Sequence, residues 1–329
     1  MSLKIVSPHR VMAAVREKYV CKLSPELQKK ALVELNEDPA KRPAAIQALR
    51  EQLAMRPDLH TRNDDGFLLR FLRARKFNEE RAFNLIENYY KCRKIWPDVF
   101  QDFRPSTIRK VLDGFLTVLP KADSGGQRII LLRHGKWNPL ENSLVDNFRA
   151  MIMTLEKLIE SEETQVNGIV MLADFKDIGM AQVMHFNPYF AKRITTVTQD
   201  AFPVRIKHNH VINEPIIFKA LHAIIRPFMK EKMRKRMVVH GSDMTSLHQY
   251  ISPEALPYEY GGEDGFLDNS IWKQTLMSSE NYFLEEFSDI ELGESENPDD
   301  VLTAEEKLLE IEFKKALEEA GPEEEWTRF

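Results

Sequence analysis

The segment Val204-Arg205-Ile206-Lys207-His208-Asn209-His210-Val211-Ile212-Asn213-Glu214-Pro215 passes from one periodicity to another. In its first nine residues the charged and apolar side chains take different slots, as they do in a strand. Asn213 then offers a helix cap and Pro215 suits a first turn. The next run places Ile217, Leu221, Ile224, Ile225 and Phe228 at i, i+4, i+7, i+8 and i+11, one stripe on a helical cylinder. Pro227 ends or kinks that helix. Lys230, Lys232, Arg234, Lys235 and Arg236 come next, so positive charge brackets the apolar stripe in sequence. The pattern is that of a lid that meets a membrane. It also describes an ordinary surface helix packed on a core, and the rest of the chain bears on the choice.

Working outward, residues 129–133, 168–175, 204–212 and 237–240 are short apolar, β-branched runs, and helical patterns at 144–160, 188–200 and 215–236 lie between them. This alternation predicts an α/β layer with a largely parallel sheet. Upstream, residues 25–35, 43–55, 64–75 and 79–96 carry apolar residues at helical spacing, punctuated by Pro39, Pro57 and Pro97. The organisation expected is a helical domain over residues 1–100, an α/β domain over 101–287 and a tail over 288–329. In the third helical stretch Phe67, Phe71 and Ala74 share one side, while Arg70 and Arg73 lie near another. That second face is solvated unless the arginines have a partner. In the tail, Thr303-Ala304-Glu305-Glu306 forms a capping box, and Leu308, Leu309, Ile311, Phe313 and Leu317 fit one helix, docked on the body or floating free.

With 329 residues and 43% hydrophobic content, the chain can bury one large core or two unequal domains. No window approaches the roughly 20 apolar residues that cross a bilayer. Lys4, His9, Arg10, Arg16 and Lys18 break up the apolar core a secretory leader needs, so an intracellular protein is expected. Cys21 and Cys92 are too few for a disulfide framework or a thiolate metal site, and read as packing residues. The net charge of −5 hides an asymmetry. Residues 285–329 hold 17 acidic and 4 basic residues, −13 in all, which leaves +8 for everything before them. A basic body expects anionic partners, nucleic acid or lipid headgroups.

Enzymatic signatures do not emerge. There is no Gly-x-Ser-x-Gly, Gly125-Gly126 is a turn with no phosphate-loop Lys after it, and no Gly-x-Gly-x-x-Gly occurs. His208 and His210 alternate on one strand face without a third metal ligand nearby in sequence. Asp174 at a strand end has the placement of many α/β catalytic acids, but a lone strand-end Asp more often serves as a cap or ion-pair partner. The basic cluster lacks the interleaved aromatics of a nucleic-acid surface. The expectation is a binding protein with no catalytic residue, cofactor, metal or nucleic-acid partner.

Phe67-Leu68-Leu69-Arg70-Phe71-Leu72-Arg73-Ala74-Arg75-Lys76-Phe77, Asn167-Gly168-Ile169, Asn213-Glu214-Pro215, Pro227-Phe228, His240-Gly241 and Leu256-Pro257-Tyr258-Glu259-Tyr260-Gly261-Gly262 occur in this order. Together they resemble the CRAL-TRIO (Sec14-like) lipid-transfer family, in particular its tocopherol-carrying branch. The resemblance runs from residue 23 to residue 287 and leaves out the acidic tail. It implies a helical domain followed by an α/β domain that encloses one hydrophobic molecule beneath a mobile helix, here from Asn213 through Arg226 and onward. It further implies a phosphoinositide-headgroup cleft beside that lid, at Arg75, Arg205, Lys207, Lys232 and Arg236, every one of them basic.

For the pocket, alternation puts Ile169, Met171 and Ala173 on one strand face, while Phe148, Ile152 and Leu155 share one helix face. The resemblance adds Phe186, Ile194, Val197, Phe202, Val204 and Asn209, and the lid contributes Ile217, Leu221 and Ile225. Two ligand-facing serines of the tocopherol branch are Met151 and Leu155 here, and a pocket histidine is Leu116, so a less polar cavity is expected. The function implied is a cytoplasmic monomer that binds a tocopherol-like or other isoprenoid lipid as cargo. It would deliver that cargo by lid opening at phosphoinositide-containing endosomal or plasma membranes, to which it attaches peripherally and reversibly. The alternatives are a phospholipid or phosphoinositide exchanger and a non-transferring adaptor. The acidic tail is expected to cover the basic cleft and compete with anionic lipid.

Overall fold

Short polar side chains start the N-terminal helices. Ser24, Asp64 and Asn78 accept the backbone N–H groups of Leu27, Phe67 and Arg81, so the helices Pro25–Leu35, Asp65–Ala74 and Glu79–Ile95 each begin on a side-chain cap. With Arg42–Ala54 they form the helical region. The computed structural model describes residues 19–287, 292–294 and 297–320. The Lys4 to Lys18 stretch and the last acidic residues of the tail lie outside these.

The face of Asp65–Ala74 expected to be solvated is buried. Arg73 is fully enclosed and donates to both carboxylate oxygens of Glu37, at 2.7 and 2.8 Å, and to Gln165 at 2.7 Å and Glu162 at 3.1 Å. Arg70 is also buried, 4.0 Å from Glu156. Sequence spacing does not reveal these partners, because Glu156, Glu162 and Gln165 come from a different part of the chain. The fixed, forked guanidinium of Arg73 thus ties the helical region to the segment before the third strand.

Five strands form one sheet in chain order: β1 Leu116–Val118, β2 Arg128–Arg133, β3 Ile169–Asp174, β4 Ile206–Ile212 and β5 Met237–Val239. β1 runs antiparallel to β2, and the other pairings are parallel, with Met171 of β3 opposite Ile130 of β2 and Asn209 of β4. Parallel pairing requires crossovers, and Leu144–Leu158, Pro188–Thr196 and Phe218–Ile225 supply their helices. Both faces are covered, which explains the unbroken apolar run of β2. Ile130, Leu132, Ile169 and Met171 pack toward the helical region. Ile129, Leu131, Val170, Leu172 and Ile212 pack against Leu247, Ile251 and Leu256. Gly168 precedes β3 at φ 85°, and an added Cβ would lie 2.4 Å from the carbonyl oxygen of Arg205, so only glycine fits there.

The single helix expected over 215–236 is three pieces. Phe218–Ile225 starts with no side-chain cap, a 3₁₀ turn Arg226–Phe228 comes after it, and Glu231–Arg234 is one short turn. Pro227 has no N–H to continue the ladder. Asn213 is not the cap: at φ 52° it turns out of β4 and donates to Asp174 Oδ1 at 2.8 Å.

The tail helix Ala304–Glu319 starts at the expected Thr303–Glu306 capping box and docks on the body. None of its described residues lines the basic cleft. Phe313 is buried in the cluster that holds Ile217, Leu221 and Ile224, and Lys192 pairs with Glu306 at 3.2 Å. Leu308 and Ile311 of the expected stripe stay exposed. Among the described residues no helix is long and apolar enough to cross a membrane.

Candidate functional site

A cavity of about 210 Å³ lies between the sheet and three helices. Met171 and Ala173 of β3 and Asn209 of β4 form its floor, Phe148 and Met151 project from Leu144–Leu158, and Ile194 comes from Pro188–Thr196. Phe186 closes one side, and Leu221 and Ile225 of Phe218–Ile225 lie across it. Nine of the expected pocket residues therefore share one wall system.

Seven do not line it. Ile152 and Leu155 sit one face around from the Leu144, Asn147, Phe148 and Met151 stripe that meets the cavity, and are buried in the main core. Ile169 lies at the buried start of β3 in the same core. Val197 is in the π turn Val197–Ala201, and Phe202 comes just after it with its ring 5.3 Å from that of Tyr89, so both pack on the helical region. Val204 borders the basic cleft instead. Ile217 precedes its helix and is buried in the cluster that holds Phe313.

The sequence reading missed His134, Trp137, Phe175 and Phe190 in the wall, along with Met229, Met233 and Met237. The three methionines recur every fourth residue just past Pro227, a helical signal hidden among the lysines and arginines. His134 stacks on Phe175 at 4.3 Å, and burial lowers its pKa to about 4, leaving it neutral near pH 7. Asp174 has a structural part. It accepts from the Tyr260 hydroxyl at 2.9 Å, from Asn213 and from the Lys176 N–H, holding the end of β3. His210 Nδ1 lies 2.9 Å from His240 Nε2, so on its strand this histidine already has a partner.

The second depression is a cleft that gathers Arg75, Arg205, Lys207, Lys232 and Arg236, joined by Lys76, Arg81 and Lys230. Three distant segments supply these charges: residues 75–81 just past Asp65–Ala74, the start of β4, and the turns after Pro227. Two acids stand among them. Glu34 accepts from Arg205 at 2.9 Å and Lys207 at 3.0 Å; partial burial opposes its ionisation, yet the two cations hold its pKa at about 2. Asp200 takes Lys230. Lys232 is pushed below the usual lysine range, first by burial and then by the positive charges of Arg236, Lys76, Arg205 and Arg75. Such crowding favours an added anion.

Cavity and cleft share Thr198, Gln199, Ile206 and Met233. Gln199 links the pieces of this partition. Its Nε2 donates to the Thr195 and Phe228 carbonyls, both at 3.1 Å, its Oε1 accepts the Lys230 N–H at 2.7 Å, and its own carbonyl takes Arg75 at 2.9 Å.

Residues 112–262 match the family model of the CRAL/TRIO domain, and residues 38–107 match that of the Pinta-like, UBA domain. Over 271 residues, 82% of this chain and 79% of the relative, the chain is 49% identical to alpha-tocopherol transfer protein-like of Homo sapiens. It is 40% identical to clavesin-1 of Xenopus laevis over 259 residues, 78% of each chain. Among solved structures, that of Sfh5 aligns over 81% of this chain and 98% of its own with 20% identity and a TM-score of 0.47.

Proposed function

The chain belongs to the CRAL/TRIO domain family, and from that premise we propose that it carries one small hydrophobic lipid in the apolar cavity and hands it to anionic membranes at the basic cleft. The observation that carries this reading is the wall the two depressions share. The name of one relative points to tocopherol, and the cargo proposed is a tocopherol-like or other isoprenoid lipid. No catalytic step is needed: the protein works by holding and releasing, as a monomer that visits phosphoinositide-bearing endosomal or plasma membranes from the cytoplasm.

At about 210 Å³, the cavity lies below the roughly 300 to 1,000 Å³ of pockets for drug-sized ligands, so a long isoprenoid loads as Phe218–Ile225 and the turn after it move outward. In water, exposing Ile217, Leu221, Ile224, Ile225 and Phe228 costs on the order of 10 kcal/mol, at about 1.5 to 3 kcal/mol for each large side chain. At a bilayer the same side chains enter the acyl boundary, and each basic residue near the surface contributes about 1 kcal/mol. Anionic lipid then both docks the protein and favours the open state, a two-state equilibrium biased by the surface.

The test is to offer the purified chain an equal mixture of tocopherols, retinoids, carotenoids, sterols and phospholipids and to weigh the intact complex. Retention of one isoprenoid, and its passage to vesicles faster when they contain phosphoinositide, is the expected result. Retained phospholipid would replace this reading with an exchanger, and an empty protein with an adaptor.

A further inference from the structure

Asn147 is 3% exposed and lines the cavity, yet neither its Oδ1 nor its Nδ2 has a hydrogen-bond partner. It lies in the first turn of Leu144–Leu158, where Ser143 and Asp146 close the cap without it. The side chain is therefore not retained for the helix end. A buried amide with both ends unmatched is less favourable than a leucine of similar size, because desolvation of its polar atoms is uncompensated. Several of the other polar groups on the wall are engaged, while among the described residues the half-buried Asn209 amide and the His222 imidazole, unlike Asn147, are only partly enclosed. The Thr195 and Thr198 hydroxyls donate to carbonyls of their own helix at 2.9 and 3.0 Å, and Gln199 spans the partition. Among the described residues, His134 makes ring contacts with Phe115, Phe175 and Phe186, and its imidazole, like the Asn147 amide, is unmatched by any hydrogen bond. Among the described residues no Lys, Arg, Asp or Glu lines the cavity.

We propose that Asn147 is the polar anchor of the cavity, selecting an uncharged lipid that ends in a single hydroxyl or carbonyl group. This deepens the carrier reading and rests on it. An amide offers a donor and an acceptor side by side, and a hydroxyl answers both. A carboxylate or phosphate would enter a chamber with no cation to pair it, so charged heads stay outside, at the cleft. A hydrocarbon fills the same space but leaves the amide as it is, so the amide tells the two apart.

Phytol and phytane share a branched twenty-carbon skeleton and differ in one hydroxyl, which makes them suitable probes. Each is titrated into the lipid-free full-length chain and the bound fraction read by native mass spectrometry, for the parent, Asn147→Leu and Asn147→Ala. The parent is expected to prefer phytol by about tenfold, the scale of one net hydrogen bond. Asn147→Leu should take both lipids alike with phytane uptake undiminished, and without lipid it should melt higher than the parent. Asn147→Ala, which adds no bulk, should lose the preference as well and keeps the test open if leucine is not accommodated. A parent-like preference in both variants, or none in the parent, overturns the anchor while leaving carriage intact. A lipid-free Asn147→Leu that melts lower also overturns it, since the amide would then be satisfied without cargo. A parent that takes up neither lipid overturns the anchor, and the carrier reading falls with it only if the protein also stays empty in the mixture of tocopherols, retinoids, carotenoids, sterols and phospholipids.

Discussion

The cavity and the cleft lie back to back but are built by opposite rules. The cavity is a local product: helices and strands bring apolar faces to it at their natural periods, and burial lowers the pKa of each histidine in its lining, His134, His210 and His222. The cleft is a long-range product, with charges from residues 75–81, 205–207 and 230–236 that meet only after the helical region has docked. Removing a side chain from the first changes its volume, whereas removing a contact elsewhere can dissolve the second. Because Thr198, Gln199, Ile206 and Met233 belong to both, a change at one of these four is felt on both sides, whereas a change elsewhere in either depression need not be.

The largest expected effect breaks the cleft from a distance. Arg73→Ala leaves Glu37 buried beside only Arg42, and loss of one partner from a buried ion pair costs about 3 to 5 kcal/mol. Chemical denaturation should show that loss, with vesicle binding falling along with it. Next, Lys207→Ala with Lys232→Ala removes two cleft charges, about 2 kcal/mol or thirtyfold in affinity for phosphoinositide vesicles by sedimentation at low salt. Cargo retention in solution should not change, and if it does the two depressions are not separable. Third, Phe313→Ala loosens the tail helix from Phe218–Ile225; stopped-flow transfer of a fluorescent isoprenoid should accelerate several-fold, with vesicle affinity little altered.

The smallest effect concerns Glu34. Its pKa in the folded protein, about 2, lies below the ordinary carboxylate value, so its stabilising contribution is present above about pH 4.5 and is lost as pH falls toward 2. Glu34→Gln should flatten that acid limb in thermal melts. It should also free Arg205 and Lys207 for lipid phosphate and raise vesicle affinity a few-fold at pH 7.

Much of this is legible in the sequence where period and punctuation act alone. The four N-terminal helices, four of the five strands and the Thr303 capping box lie within a residue or two of their expected places. β1 escapes because three residues cannot display a period, and its register is set by Leu132, Leu131 and Ile130 of β2. Leu144–Leu158 reads as a helix, but it is buried on nearly every side, so its pattern does not say which face meets the cavity, and Ile152 and Leu155 pass for wall residues. The five basic residues brought together in the cleft come from the resemblance; Lys76, Arg81 and Lys230 beside them look like any surface charge in a linear reading. Asn147 looks in sequence like an ordinary first-turn residue, and only the folded cavity shows its amide unmatched.

The seat of Phe313 has a practical side. Through that ring, the helix Ala304–Glu319 braces the outer wall of the cavity, so a fluorescent protein, resin or surface attached to that helix pulls on the wall itself. If the chain carries cargo as proposed, preparations held by that helix and by the helical region would load and unload at different speeds with identical binding sites, and rate comparisons between laboratories would depend on where each one chose to hold the molecule.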